Sequence, residues 1–330
     1  MRQQWRIDGL TRALCCALLL LTACGGPSAT SPATPSNPTS PSPTPPSPTA
    51  QPAPSQPAAQ QSLVVMVVEE NHAYEQVIGN SSMPYLNSLA QQGGLATQYY
   101  ADAHPSIGNY FALTTGAVQT NDNNFPGPVS ADNLVRQINA SGKTWKVYAE
   151  DLPSVGYLGT TVGNYEKHHN PFAYFSDVVN DPNQAAKIVP LTQLAIDLSA
   201  WTLSDFVFVL PNAINDGHAC PAGMVCTDND LVARADQWLQ TNISPLLATS
   251  RFQSSGLILI TFDESNIADI RNGGGRVPLI AFGPKAKAGS QSAMLYKHEN
   301  TLKTVCVVLS LASCPGPAAS MSAEDDLIQH

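Results

Sequence analysis

Glu70 stands just beyond a run of six apolar residues, Leu63–Val68, in the string Glu69-Glu70-Asn71. Asp263-Glu264 follows Leu257–Phe262 in the same way, and Asn215-Asp216-Gly217-His218 comes shortly after Phe206–Leu210 and Pro211-Asn212. Carboxylates brought together repel one another and are costly to desolvate, and a divalent cation removes both objections. Glu70, Asn71, Asp263 and Glu264 are therefore candidate metal ligands, with a solvated strand end as the alternative reading of each. Ser106 lies in His104-Pro105-Ser106-Ile107-Gly108-Asn109-Tyr110, ahead of a segment, Ile107–Thr115, that can be helical and stops at Gly116. A hydroxyl at a helix N-terminus beside a metal could lose its proton and attack phosphorus, or it could be a plain N-cap. Asp216 could take a metal or orient an imidazole, and His218 could bind an anion or protonate a leaving oxygen. Gly217 allows close approach to a ligand. His298, ahead of the last helical segment, is a weaker candidate. His72, His168 and His169 have no equally clear role, and the adjacent pair can line a cleft or only decorate a loop.

The elements that must position these groups are short apolar runs alternating with helical patterns. Leu63–Val68, Phe206–Leu210, Leu257–Phe262 and Val277–Phe282 read as strands buried on both faces, with Trp145–Ala149 a weaker strand. Pro84–Gln92, Ala131–Ala140 (capped at Ser130, stopping near Gly142), Ala185–Ala200, Leu231–Ala248 and Glu299–Leu311 read as helices. Pro190 and Pro245 are expected to interrupt or redirect two of them. The alternation argues for an α/β fold with a mostly parallel sheet, whose polar ligands gather at the carboxyl ends of the strands.

The rest of the chain frames that domain. Arg2, Arg6 and Arg12 precede Ala13–Cys24, whose apolar part is about ten residues against the roughly 20 a membrane span needs. Residues 1–23 are read as a signal peptide. Leu21-Thr22-Ala23-Cys24 resembles the lipobox of bacterial lipoproteins, which implies acylation of Cys24 and attachment to a bilayer without spanning it. Gly25 supplies no acidic retention signal, so the expected address is the bacterial cell surface or outer membrane, with the folded part in the periplasm or outside the cell. Residues 24–60 read as a tether: 12 of the chain's 27 prolines fall between 27 and 60, with no charge there. Residues 61–314 form the expected domain, and 315–330 a flexible tail. Without residues 1–23 the formal charge moves from -9 to -11, which argues against a nucleic-acid partner. Nothing points to a protein partner. Of the seven cysteines, Cys220, Cys226, Cys306 and Cys314 remain after Cys15, Cys16 and Cys24 are set aside. Four cysteines allow three pairings; the local pairs Cys220–Cys226 and Cys306–Cys314 are expected, with a four-thiolate zinc site as the rival.

Glu70-Asn71-His72, His104-Pro105-Ser106 with Asn109-Tyr110, Lys167-His168-His169-Asn170-Pro171-Phe172, Pro211-Asn212 with Asn215-Asp216-Gly217-His218, and Asp263-Glu264 occur in the order found in one family. Together they resemble the bacterial and fungal phosphoesterases, which include acid phosphatases and phospholipases C of the alkaline-phosphatase-like superfamily. The likeness spans roughly residues 63–312. It implies a three-layer α/β/α sandwich, Glu70 and Asn71 as first metal ligands, Ser106 as a nucleophile also touching the metal, and Asp263-Glu264 as the pair completing the site. Asp216, His218 and His298 fall where superfamily relatives place second-metal ligands. With fewer ligating groups here, one divalent ion is expected (calcium, magnesium, manganese or zinc), the histidines serving the phosphate and the leaving group. His104, Asn109, Asn212 and His218 are the expected phosphate contacts. His72 replaces a common Arg, and Gly217 and Ala219 replace bulkier or acidic residues, which bears on the substrate pocket. The expected activity is hydrolysis of a small phosphate monoester through a phosphoseryl intermediate. A phospholipase C-like diesterase and a non-catalytic surface binding module are the alternatives.

Overall fold

The computed structural model describes residues 62–329. The signal peptide, Cys24 and the proline-rich segment expected from the sequence lie outside the described residues. Eight strands form one sheet: β1 Leu63–Glu69, β2 Gly94–Tyr100, β3 Trp145–Ala149, β4 Ile188–Pro190, β5 Phe206–Leu210, β6 Gly256–Phe262, β7 Leu279–Phe282 and β8 Ser290–Lys297. Their spatial order is β4-β3-β5-β1-β6-β7-β2-β8. β1 pairs in parallel with β5 and β6, while β7 runs antiparallel to both of its neighbours, β6 and β2. All residues of β1, β5 and β6 are buried, as their unbroken apolar runs require of strands covered on both faces. Each fully buried Val, Leu or Ile there stabilises the fold by roughly 1.5–3 kcal/mol relative to exposure.

Helices cover both faces and complete a three-layer α/β/α sandwich. Ile107–Thr115 packs against His298–Val308, while Pro84–Gln92 packs against Asp228–Leu247. Asp236 ties the second pair together, accepting the backbone N–H groups of Tyr85 at 2.9 Å and Leu86 at 2.7 Å. These are orphan donors of a helix whose own N-cap residue, Met83, offers no acceptor.

Several boundaries differ from expectation. Ala185–Ala200 is not one helix: a turn of helix ends at Ala185, Ile188–Pro190 is an edge strand, and Thr192–Ala200 is helical. Pro190 is tolerated at the end of that edge strand. Pro245 lies inside Asp228–Leu247 without ending it. The cap of Leu134–Ala140 is Asn133, whose side chain accepts the N–H of Arg136, rather than Ser130. β2, β4 and β8 were not visible in the sequence. The last is an edge strand with only two of its eight residues buried, so it needs no apolar run. Residues 315–329 do not fray. Leu327 and Ile328 are buried, Ile328 bridges Ala286, and Gly316–Ser320 forms a short 3₁₀ helix. Both expected disulfides, Cys220–Cys226 and Cys306–Cys314, are present, and the zinc alternative is discarded.

Candidate active site

β1, β5 and β6 lie side by side, so their parallel carboxyl ends deliver Glu70, the Asp216 loop and Asp263 to one place. Backbone bonds hold them there. Glu70 N donates to Asp216 O at 2.8 Å, and Asp263 N donates to Glu69 O at 2.9 Å. Asn71 turns the chain through the left-handed region (φ 59°), and its N–H donates to Asp263 Oδ1 at 3.1 Å. Asparagine is among the few non-glycine residues that tolerate this conformation. Gly217, at φ 93°, sits in the region that favours glycine, and a Cβ there would meet only ordinary contacts, 3.4 Å from the His72 ring and 3.5 Å from Glu70 O.

Glu70 is the hub and is wholly buried. Its Oε1 lies 3.0 Å from His169 Nε2 and accepts the Tyr110 hydroxyl at 3.2 Å. Its Oε2 lies 3.3 Å from His218 Nδ1, accepts the Asn71 side-chain amide, and is 3.4 Å from Ser106 Oγ. Burial alone would raise the Glu70 pKa, but the imidazoles of His169 and His218 outweigh it and hold the carboxyl well below its usual range. Burial likewise opposes a charge on His169, yet Glu70 and Asp216 lift its pKa to about 10. The hydrogen bond to Glu70 raises the pKa of His218, against burial.

The remaining carboxyls behave differently. Asp263 is raised well above its usual range by burial and then by the charges of Glu70 and Glu264. Its Oδ2 is buried without a partner. Burial and Glu70 push Glu264 up to about 7, with His104 Nδ1 at 3.2 Å opposing. Burial lifts Asp216 to about 6.

Ser106 caps nothing. It sits at the start of Ile107–Thr115 in helical conformation and makes no side-chain cap bond, so its buried hydroxyl is left facing Glu70. The plain N-cap reading is thereby removed. His218, with half of its side chain exposed, stands between Glu70 and solvent.

Four residues expected at the phosphate or the leaving group fall elsewhere. Asn109 is wholly buried; its Oδ1 accepts the N–H groups of Asp102 and Ala103, and its Nδ2 donates to Ala103 O and, at 3.4 Å, to Glu264. It braces the loop before Ser106 instead of offering an amide to phosphate. Asn212 caps its own turn, accepting from Ile214 N and Asn215 N and donating to Asp151. His298 is wholly buried, with Nε2 2.7 Å from Asp263 O and Nδ1 2.8 Å from the Tyr99 hydroxyl, so it has no free nitrogen for a leaving group. His104 Nε2 lies 3.0 Å from Asp269 O, and its Nδ1 lies 3.2 Å from Glu264 Oε2 without completing a hydrogen bond.

His169 is the residue that sequence reasoning left without a role. It stacks on Tyr110 (ring centroids 5.2 Å apart) and touches both Glu70 and, at 3.5 Å, Asp216. The signal available was its place in the Lys167–Phe172 string.

The profile of the Phosphoesterase family matches residues 80–311. The chain belongs to that family. This phosphoesterase is 32% identical over 251 residues to a phosphatidylinositol-3-phosphatase of Mycobacterium tuberculosis, a match covering 73% of this chain and 75% of that protein. It is 30% identical over 253 residues to an acid phosphatase of Aspergillus fumigatus, covering 74% of this chain and 54% of that one. The chain thus spans about half the length of the fungal acid phosphatases it matches. Among solved structures, a protein in the alkaline phosphatase superfamily from Vibrio parahaemolyticus aligns with a TM-score of 0.54 at 14% identity, covering 77% of this chain and 67% of that one. A lipoteichoic acid synthase from Listeria monocytogenes aligns with a TM-score of 0.56 at 12% identity, covering 82% and 77%. These likenesses establish the fold of the phosphoesterase.

Whether the site suits a metal ion is a question for its donors. Among the described residues no three His, Cys, Asp or Glu side chains are already gathered as an ion-binding group. The chemistry nevertheless fits a hard cation. Asp263 Oδ2 is a buried orphan, and Glu70, Asp263 and Glu264 are buried within one cluster whose ionisation they oppose in one another.

Proposed function

We propose that this phosphoesterase is a metal-dependent phosphomonoesterase with Ser106 as its nucleophile. The observation that carries the reading is the Ser106 hydroxyl, released from capping and set 3.4 Å from Glu70 Oε2 within a cluster of buried carboxyls and imidazoles. Glu70, Asn71 and Asp263, with the Ser106 hydroxyl, would hold a divalent ion. Glu264, expected as a ligand, is engaged with His104 and Asn109 at the edge of this group. When bound, the ion supplies Lewis-acid stabilisation of negative charge on the phosphoryl group.

The chain's own groups supply the rest. Ser106 Oγ attacks phosphorus, and the ester oxygen leaves, forming a phosphoserine and breaking the P–O bond to the alcohol. Glu70 is the acceptor nearest the serine proton. His218, half exposed and with its pKa raised by the hydrogen bond to Glu70, donates to the departing oxygen. Water then attacks phosphorus, giving a proton to His218, while the P–O bond to Ser106 breaks and Ser106 Oγ recovers its proton from Glu70, releasing inorganic phosphate. Asp216 and His169 fix Glu70 and His218 through the loop, and Tyr110 adds a hydrogen bond to the same carboxylate. The names of the relatives, a phosphatidylinositol-3-phosphatase and several acid phosphatases, favour a monoester over a diester.

The full chain, purified in detergent, would be assayed on p-nitrophenyl phosphate from pH 5 to 9 after chelation and with single metals returned. Turnover that disappears on chelation, returns with one metal and yields a phosphoserine at Ser106 on acid quench supports the reading. No turnover from folded, metal-loaded protein refutes it. Export and acylation at Cys24 belong to the same proposal, resting on the Leu21–Cys24 string; mass spectrometry of the mature N-terminus decides, and an unacylated terminus rejects the anchor. Among the described residues no helix is long and apolar enough to cross a membrane.

A further inference from the structure

A line of buried hydrogen bonds runs from the C-terminal segment to the backbone of Asp263. Glu324 Oε1 lies 2.6 Å from Thr301 Oγ1, Thr301 Oγ1 lies 2.7 Å from the Tyr99 hydroxyl, and Tyr99 lies 2.8 Å from His298 Nδ1. His298 Nε2 then lies 2.7 Å from Asp263 O. Glu324, Thr301, Tyr99 and His298 are all wholly buried, so water cannot relieve a misplaced proton anywhere along the line.

The direction of every bond follows from its far end. Asp263 O is a carbonyl and can only accept, so His298 Nε2 must carry the proton and donate. A neutral imidazole then has a bare Nδ1, which must accept from the Tyr99 O–H. The Tyr99 oxygen accepts from Thr301, and the Thr301 oxygen accepts in turn from Glu324. That sequence closes only if Glu324 is a neutral carboxylic acid. Its burial fits this form, as does the absence of any partner for Oε2. The groups facing it are the hydroxyls of Thr301 and Thr304 and the charges of Asp325 and, through Tyr296, Asp326, with no cation among them. Burial correspondingly lifts its pKa to about 7.

Reversing the line would be costly at the site end. If Glu324 became an acceptor, Tyr99 would present its oxygen lone pair to Nδ1. His298 would then either carry a second proton, a charge met only by the neutral oxygens of Tyr99 and the Asp263 carbonyl, or turn a bare Nε2 toward that carbonyl. Both loosen the residue whose side chain the site needs.

We propose that Glu324 is a positioning residue for Asp263, acting as a neutral donor through Thr301, Tyr99 and His298 to set the His298 tautomer. The inference rests on the reading of Asp263 as a site residue, but its test does not depend on activity alone. Full-length protein carrying nitrogen-labelled histidine would be compared with Thr301→Val, Tyr99→Phe, Thr301→Ser and Glu324→Gln, by NMR of the ring nitrogens and by steady-state kinetics. The expected wild-type signal is a protonated Nε2 and a bare Nδ1 for His298. Thr301→Val and Tyr99→Phe should change that signal and lower kcat by about tenfold with KM nearly unchanged, as for other outer-shell partners of a metal site. Thr301→Ser should restore both, and Glu324→Gln should retain the signal, because an amide N–H can still donate to Thr301. A wild-type His298 protonated on Nδ1 would overturn the proposal. So would a loss of kcat in the Val and Phe variants without any change in the ring signal. If the signal responds as expected but the enzyme hydrolyses no phosphate ester, the relay stands and the catalytic reading of Asp263 fails.

Discussion

His169→Leu tests the electrostatic logic of the site in metal-free protein. Glu70 is wholly buried and is kept ionised by His169 at 3.0 Å and His218 at 3.3 Å, two interactions that outweigh the effect of burial. With an effective dielectric of 20, opposite charges at that first distance attract by about 5.5 kcal/mol, a ceiling before the cost of desolvating the imidazole. Breaking a buried pair by removing one partner costs about 3–5 kcal/mol, so chelated His169→Leu should unfold at markedly lower denaturant, with a loss at the lower end because His218 remains. The pH dependence follows from the two shifts. Glu70 has a lowered folded pKa, so its stabilisation is present above its unfolded value, near 4.5, and is lost as pH falls through the folded one. His169 has a raised folded pKa, so its contribution is complete below 6.5 and is lost as pH rises through about 10. The gap between wild type and variant should therefore be widest from about pH 4.5 to 6.5 and close at both extremes. Denaturant midpoints of chelated proteins across that range measure it, and a divalent ion should narrow the gap by replacing the lost positive charge. A midpoint that His169→Leu leaves unchanged at pH 6 would refute the view that His169 holds Glu70 ionised.

Ser106→Ala should abolish phosphate ester turnover while changing stability by no more than about 0.5 kcal/mol, since no cap is lost; a drop nearer 1 kcal/mol in denaturant melts would restore the N-cap reading. Glu324→Gln should leave stability unchanged at pH 4 and raise it at pH 8. A carboxyl whose folded pKa is lifted from 4.5 to about 7 stabilises the fold below the first value and loses that contribution through the second. The gain should be on the order of 2–3 kcal/mol, read from urea melts at both pH values. Asp236→Ala should cost about 2–3 kcal/mol, because two N–H groups at the start of Pro84–Gln92, one buried and one partly buried, lose their acceptor, and kcat should stay unchanged.

The strands that carry the site were readable because burial on both faces demands an unbroken apolar run, and Leu63–Val68, Phe206–Leu210 and Leu257–Phe262 are such runs. The edge strands were hidden for the opposite reason: β4 has three residues, and β8 buries two of eight, so neither needs a distinctive pattern. The direction of β7 was also hidden. Its apolar residues suit either orientation, and only its pairing with β6 and β2 makes it antiparallel, which sends Gly283-Pro284 to the opposite edge from Asp263.

The site divides along the same line. From the sequence alone came the carboxyl groups Glu70, Asp216 and Asp263 at strand ends, Ser106 before a helix, and the two local disulfides, because each is a feature of residues close together in the chain. Which polar group meets which was decided by folding. Asn109 and Asn212 look like phosphate contacts until their amides are found bracing loops, and His298 looks like an acid until both its nitrogens are found bonded. His169 became the partner of Glu70, and Glu324 the far end of a buried line to Asp263. A hydrogen bond depends on position and proton direction, and residues 99 or 199 apart in sequence acquire both only when the sheet and its covering helices bring them together.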